Sequence, residues 1–284
     1  MLCFHGVSIW TCSAAWWCED MFDRKYLKNE IDKLDGVLTE HIKLYLIGGG
    51  SMSFQNLKDA TKDIDVVVRS ENDMNLLKSA LAQMGYSVPA IRGPYKQMQA
   101  SAIMENKDGF RWDIFVNVVC GGLKLSDAMA DRATNLFSMD RVSINMISLE
   151  DIFIFKSITS RERDREDMYL LFLQGLDFNQ IRDEITWQND NNMSAAWVAF
   201  FFNGLEEVVE RYSIVIPFFD EFHDTAYSDM LSQMILDRLE SGSATVEDLN
   251  RNFGVDDIEK HVESMIQKKL VTKNSDGSFS LNRD

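Results

Sequence analysis

The chain has 284 residues, 45% of them hydrophobic and 26% charged, with three prolines and four cysteines. That composition excludes disordered, collagen-like and disulfide-scaffold classes, and the length suits one large domain or a core with a smaller module. Forty-five acids against 29 bases give a formal charge of −16; such a surface repels phosphate backbones except where bases cluster, which argues against coating of nucleic acid but leaves room for a small basic site for one nucleotide or an RNA end.

Cys3, Cys12, Cys18 and Cys120 include no CxxC pair, so neither a zinc ribbon nor a disulfide framework is legible and a reducing cytoplasm is the expected setting. No apolar run reaches the roughly 20 residues of a membrane-spanning helix, so no membrane partner is expected. Residues 1–20 hold three of the four cysteines, three of the six tryptophans and no lysine or arginine. They lack the basic start and ordered apolar core of a secretory signal. They read as an extension without assigned function, or as residues ahead of a start at Met21. His5 with the three nearby cysteines matches no standard metal-site spacing.

From Phe22 to about Leu38, the apolar spacing of Phe22, Tyr26, Leu27, Ile31, Leu34 and Leu38 predicts a helix. Residues 43–47 (KLYLI) read as a short buried strand running into Gly48-Gly49-Gly50-Ser51. The thirteen residues between Gly49 and Asp63 leave room for a helix of about three turns before a second strand, DIDVVV, at 63–68. A helix over 73–84 ends at Gly85. A β segment near 99–104 turns at Asn106-Lys107-Asp108-Gly109 into a strand at 110–119, FRWDIFVNVV. These alternations predict an α+β domain with a mixed sheet over residues 21–148. Beyond about Ser148 the spacing is helical, over 149–172, 178–187 and 194–212, giving a helical region at 149–215. Residues 213–224, with Pro217, read as a hinge. A last module at 228–284 shows helices at 230–240, 245–253 and 256–269, then a hairpin about Asp276-Gly277. Three helices and a hairpin resemble a winged helix-turn-helix. The helix that would enter DNA carries Asp256, Asp257, Glu259 and Glu263 against Lys260, so duplex DNA is not the expected partner.

The chemistry concentrates on two strands. Asp63 and Asp65, two apart, point to one face of their strand while Ile64, Val66 and Val68 point to the other. Two adjacent carboxylates repel and need a compensating cation or water. On the next strand Arg111, Asp113 and Asn117 share one face and Phe110, Trp112, Ile114, Val116 and Val118 the other. Three aspartates on adjacent strands offer the hard oxygen ligands that Mg²⁺ takes together with substrate phosphates; a solvated strand edge would carry the same DxD. The glycine triplet before a helix lets a backbone approach a polyphosphate closely, though it is neither GxGxxG nor a Walker loop. At helical spacing, Lys156, Arg163, Asp164 and Asp167 fall on one side. A lysine there would meet a triphosphate as a point charge, with Asp164 or Asp167 holding it in place; an exposed, salt-bridged helix has the same pattern.

Leu46-Ile47-Gly48-Gly49, the thirteen-residue spacer, Thr61-Lys62, Asp63-Ile64-Asp65 and the later Asp113 together resemble the signature of the DNA polymerase β-like nucleotidyltransferase superfamily. Leu149-Glu150-Asp151-Ile152, Lys156 and the run Arg161 to Asp167 resemble motifs of the AbiEii-type toxin nucleotidyltransferases. The likeness covers about residues 22–190, with Gly50-Ser51 departing from the commoner residues there, and leaves the last module outside. It implies metal-dependent transfer of a nucleoside monophosphate from an NTP to an acceptor, with release of pyrophosphate. Asp63, Asp65 and Asp113 would bind Mg²⁺ or Mn²⁺, and Asp113 could also accept the acceptor's proton. Gly48, Gly49 and Ser51 would hold the phosphates, helped by Lys156, Asp164 and Asp167. The acceptor would be an RNA end, a protein hydroxyl or a small molecule, and a cognate antitoxin is a further expected partner. A non-catalytic regulator, binding nucleotide or acting through the winged-helix-like module as a regulatory or interaction protein, is the alternative.

Overall fold

A computed structural model describes residues 24–58, 63–89, 100–120, 122–191, 197–255 and 257–282. The extension at 1–20 and the Thr61-Lys62 pair lie outside the described residues.

Helix α1 (Arg24–Val37) leads into β1 (Ile42–Ile47), α2 (Gly48–Phe54), β2 (Asp63–Val68) and α3 (Glu71–Gln83). Then come β3 (Ala102–Glu105), β4 (Arg111–Val116), the small ladder β5 (Val118–Val119) and β6 (Leu123–Lys124), α4 (Asp127–Arg132), β7 (Thr134–Ser138) and β8 (Val142–Met146). Six strands form one mixed sheet in the order β3-β4-β2-β1-β8-β7. β2 runs parallel to β4 and β1 parallel to β8, while the other neighbours are antiparallel. The alternation of side chains divides the sheet into two faces. Leu44, Leu46, Ile64, Val66, Trp112 and Ile114 pack on one face with α1 and α3. Tyr45, Ile47, Val67 and Phe115 point to the other, into a core shared with the later helices. Asp63, Asp65, Arg111 and Asp113 belong by register to this second face.

Those helices are α5 (Leu149–Ser157), α6 (Glu162–Phe172), α7 (Phe178–Asn191), α8 (Trp197–Tyr212) and α9 (Phe219–Glu240). α5 is buried nearly all round. Ile152, Phe153, Ile154 and Phe155 are consecutive core residues, each worth about 1.5–3 kcal/mol on full burial. Ser148 caps it, its hydroxyl accepting from the Asp151 amide at 3.2 Å, and Ser70 and Ser126 cap α3 and α4 in the same way. The chain ends in α10 (Val246–Phe253), α11 (Ile258–Gln267) and the hairpin β9 (Val271–Lys273) with β10 (Phe279–Leu281), around a separate core of Leu231, Ile235, Leu249, Val262 and Phe279.

Four expectations change. The helix after the glycines spans seven residues, not three turns, because the chain turns at Gln55 to Leu57. The strand expected over 110–119 breaks at Asn117, whose φ is +55° and whose amide donates to the Arg69 carbonyl at 2.7 Å. The helix expected over 149–172 is two helices meeting at Ile158 to Arg161. The hinge is confined to 213–218, bounded by positive φ at Ser213 and Phe218, and residues 219–224 already belong to α9. The short, half-exposed β7 and the six-residue α4 had no periodic signal in the sequence. Among the described residues, no helix is long and apolar enough to cross a membrane.

Candidate active site

Strand register assembles the site. β1 and β2 are antiparallel, with Ile47 opposite Asp65, so the residue that follows β1 lies over the Asp65 carboxylate. That residue is Gly48, with φ +64°. A Cβ there would stand 2.2 Å from Asp65 Oδ2, so the turn requires a glycine. β2 and β4 are parallel, with Asp63 opposite Arg111 and Asp65 opposite Asp113. The sheet face therefore carries a square of three carboxylates and one guanidinium at the end where β1 leaves and β2 and β4 begin.

Asp65 is 8% and Asp113 2% exposed. Burial, then the charges of Asp63 and Asp113, pushes the Asp65 carboxyl well above the usual range. Asp113 is pushed up to about 6, chiefly by burial, with Asp63 adding to the rise and Arg111 opposing it. Arg111 spans two corners of the square. Its Nη2 lies 2.7 Å from Asp63 Oδ2 and donates to Asp113 Oδ2 at 3.0 Å, and its Nε lies 2.7 Å from Asp113 Oδ1. In donor type and charge, Asp63, Asp65 and Asp113 suit a hard divalent ion. In arrangement, Arg111 supplies the positive charge between Asp63 and Asp113. Among the described residues no group of three His, Cys, Asp or Glu is set to hold a metal ion. Loading an ion on all three carboxylates requires Arg111 to yield.

Gly48 and Gly49 are half-buried at the start of α2. Ser51 is wholly buried and its hydroxyl donates to the Gly48 carbonyl at 2.8 Å, so it secures the turn from within. Lys156 leaves the last turn of α5 and reaches Asp164 Oδ1 at 2.6 Å and Asp167 Oδ2 at 2.8 Å, both on α6. The predicted grouping of these three forms, but across the junction of two helices, and Arg163 is exposed instead of joining them. Burial works against the Lys156 ammonium, yet Asp164 and Asp167 outweigh it and hold its pKa above the ordinary value. Asp164 is held below its ordinary value because Lys156 and the Thr159 hydroxyl overcome its burial. Lys156 also lowers the Asp65 pKa, which links the cationic cluster to the carboxylates.

Three further groups belong to this neighbourhood. Lys58, after α2, contacts Asp167 Oδ2 at 2.6 Å. Arg161 acts electrostatically on Asp113, Asp164 and Cys120, and the Cys120 thiol is pushed up to about 11 by burial. Sequence reasoning placed Arg111 on the right face without its bridging role. It missed Lys58, whose partner is 109 positions away.

The site thus joins carboxylates in register on a mixed sheet, a turn that requires glycine, and a lysine–carboxylate cluster beside them. The chain belongs to a family described as nucleotidyltransferases of unknown function (DUF6036), whose model matches residues 25–208. Among solved structures it is similar to a Thermotoga maritima protein described as a candidate nucleotidyltransferase. That match has 15% identity and a TM-score of 0.34, over 46% of this chain and 83% of the other. A likeness that weak carries no argument about function. No curated protein matches the chain.

Proposed function

We propose that this protein transfers a nucleoside monophosphate from an NTP to an acceptor hydroxyl and releases pyrophosphate. The observation that carries the reading is the register pair Asp65–Asp113 beneath a turn that only glycine can make. Asp63, Asp65 and Asp113 would hold Mg²⁺ or Mn²⁺, which when bound neutralises polyphosphate charge and makes an acceptor hydroxyl easier to deprotonate. Gly48 and Gly49 present backbone close to the phosphates, and Ser51 keeps that turn closed. Lys156 meets the phosphates as a point charge, positioned by Asp164 and Asp167. Asp113 would also take the acceptor's proton. The acceptor is an RNA end, a protein or a small molecule in the cytoplasm, and a toxin role with a cognate antitoxin fits the motif likeness. The C-terminal helices and hairpin form a winged-helix-like module that contacts protein in preference to DNA.

One observation favours a second reading. Arg111 already pairs with two of the three carboxylates, as it would in a nucleotide-binding regulator without catalysis. Equilibrium dialysis of each NTP with and without Mg²⁺ separates the two. Binding that needs the metal and disappears in Asp65→Asn supports the enzyme; metal-independent binding that survives the substitution supports the regulator.

A further inference from the structure

The cationic cluster holds more than Lys156 alone. Lys58 and Lys156 both place Nζ within hydrogen-bonding distance of one oxygen, Oδ2 of Asp167, at 2.6 and 2.8 Å. The two lysines are not equally satisfied. Lys156 has a second carboxylate partner, Asp164. Among the described residues, the carboxylate oxygen that Lys58 meets is one it shares with a like charge, and its side chain is only 17% exposed. Burial and then the neighbouring Lys156 charge lower its pKa, whereas Asp167 resists that change. Two ammonium groups converging on one oxygen repel, and a multiply charged anion placed against them relieves that repulsion. Polyphosphate is the anion class that lysines take as point charges. Position agrees with this chemistry. α2 starts at Gly48 over Asp65 and Lys58 follows four residues after its end at Phe54, so the glycine turn and the second lysine flank one short helix.

We infer that Lys58 is a second polyphosphate contact. It leaves Asp167 for the outer phosphates of a bound NTP, and Lys156 is left with both carboxylates. The departing pyrophosphate is then gripped from two elements, α5 and the segment after α2. This rests on the proposed nucleotidyl-transfer reading and assigns its leaving-group subsite.

The test uses the full chain and magnesium tripolyphosphate as the probe, with affinity read by calorimetry. Lys58→Met should weaken binding about tenfold, equivalent to about 1.4 kcal/mol, and Lys58→Arg should stay within about threefold of the parent. A purely structural tie between the segment and α6 would instead lower the unfolding midpoint and leave the affinity alone. A measurement on the unsubstituted protein covers the case in which Lys58→Met does not fold. Acylation of Lys58, followed by peptide mass spectrometry, should slow severalfold when the probe is present. Parent protein that binds the probe, with Lys58→Met binding equally or Lys58 acylation unprotected, overturns this inference alone. Parent protein that fails to bind the probe overturns it together with the reading beneath it.

Discussion

The Asp65 carboxylate occupies the space a side chain at position 48 would need: Oδ2 lies 2.2 Å from where a Gly48 Cβ would stand. The glycine turn and the metal-ligand candidate are thus one packing unit. Gly48→Ala meets two penalties, the left-handed backbone at φ +64° and displacement of Asp65. It should destabilise the protein by about 2 kcal/mol or more in chemical denaturation. In an Asp65→Ala background the same substitution should cost measurably less, because the second penalty is gone.

Neutralising single carboxylates should have unequal effects. Asp65 is buried among like charges, and the ion pairs of Arg111 go to Asp63 and Asp113 instead. In metal-free buffer Asp65→Asn should hold or raise the unfolding midpoint while label transfer from an NTP falls at least about a hundredfold. Asp63→Asn should lose transfer as well, with a slightly lower midpoint because an Arg111 partner is lost. A large drop in the midpoint of Asp65→Asn would contradict the assignment.

Asp65 and Asp113 also set a pH dependence. Both carboxyls have folded-state pKa values above the ordinary 3.8, with Asp113 at about 6. The folded protein therefore binds more protons than the unfolded chain above about pH 4, so the Asp113 contribution is complete below about pH 4 and is lost as pH rises through about 6, and Asp65 adds in the same direction. Metal-free thermal scans from pH 4 to pH 7 should show that decline. Added Mn²⁺ should stabilise progressively more as pH rises, since only the ionised carboxylates bind it.

Gly204 gives an independent handle on the helical region. A Cβ there would lie 2.3 Å from the Ser157 carbonyl oxygen, a backbone atom that cannot swing aside. Gly204→Ala should push α8 off α5, cost about 1–3 kcal/mol and weaken NTP binding through the displaced Lys156 next to Ser157. Equal NTP affinity in a folded Gly204→Ala protein would show that Lys156 does not depend on that packing.

The C-terminal module should not bind random duplex DNA. α11 carries Glu259 and Glu263 against Lys260, and His261 turns inward to Ser232 at 2.8 Å. The bases Lys268, Lys269 and Lys273 could neutralise about three phosphates, a salt slope near −3 in log K against log salt. Anisotropy with the full chain at two salt concentrations should show no submicromolar binding at about 0.15 M salt.

How far the sequence carries depends on the range of each interaction. Asp63, Asp65 and Asp113 were legible because strand periodicity assigns faces directly, and the glycine turn was legible because few residues accept its backbone. Lys156, Asp164 and Asp167 were found by helical spacing, yet they meet across a break at 158–161 that apolar periodicity does not mark. Lys58 escaped because only the tertiary fold brings the segment after α2 to α6, and nothing local distinguishes it from a surface lysine. β7 escaped for the opposite reason: its half-exposed residues lack the alternation that reveals a buried strand.

The most direct measurement of the central claim is label transfer. Purified protein is incubated with each α-³²P-labelled NTP, Mg²⁺ or Mn²⁺ and a cell extract, and the macromolecular and small-molecule fractions are counted. The account predicts a labelled acceptor and free pyrophosphate with at least one NTP, dependent on the metal and absent in Asp65→Asn. Metal-dependent NTP binding with no labelled product in any fraction would contradict nucleotidyl transfer.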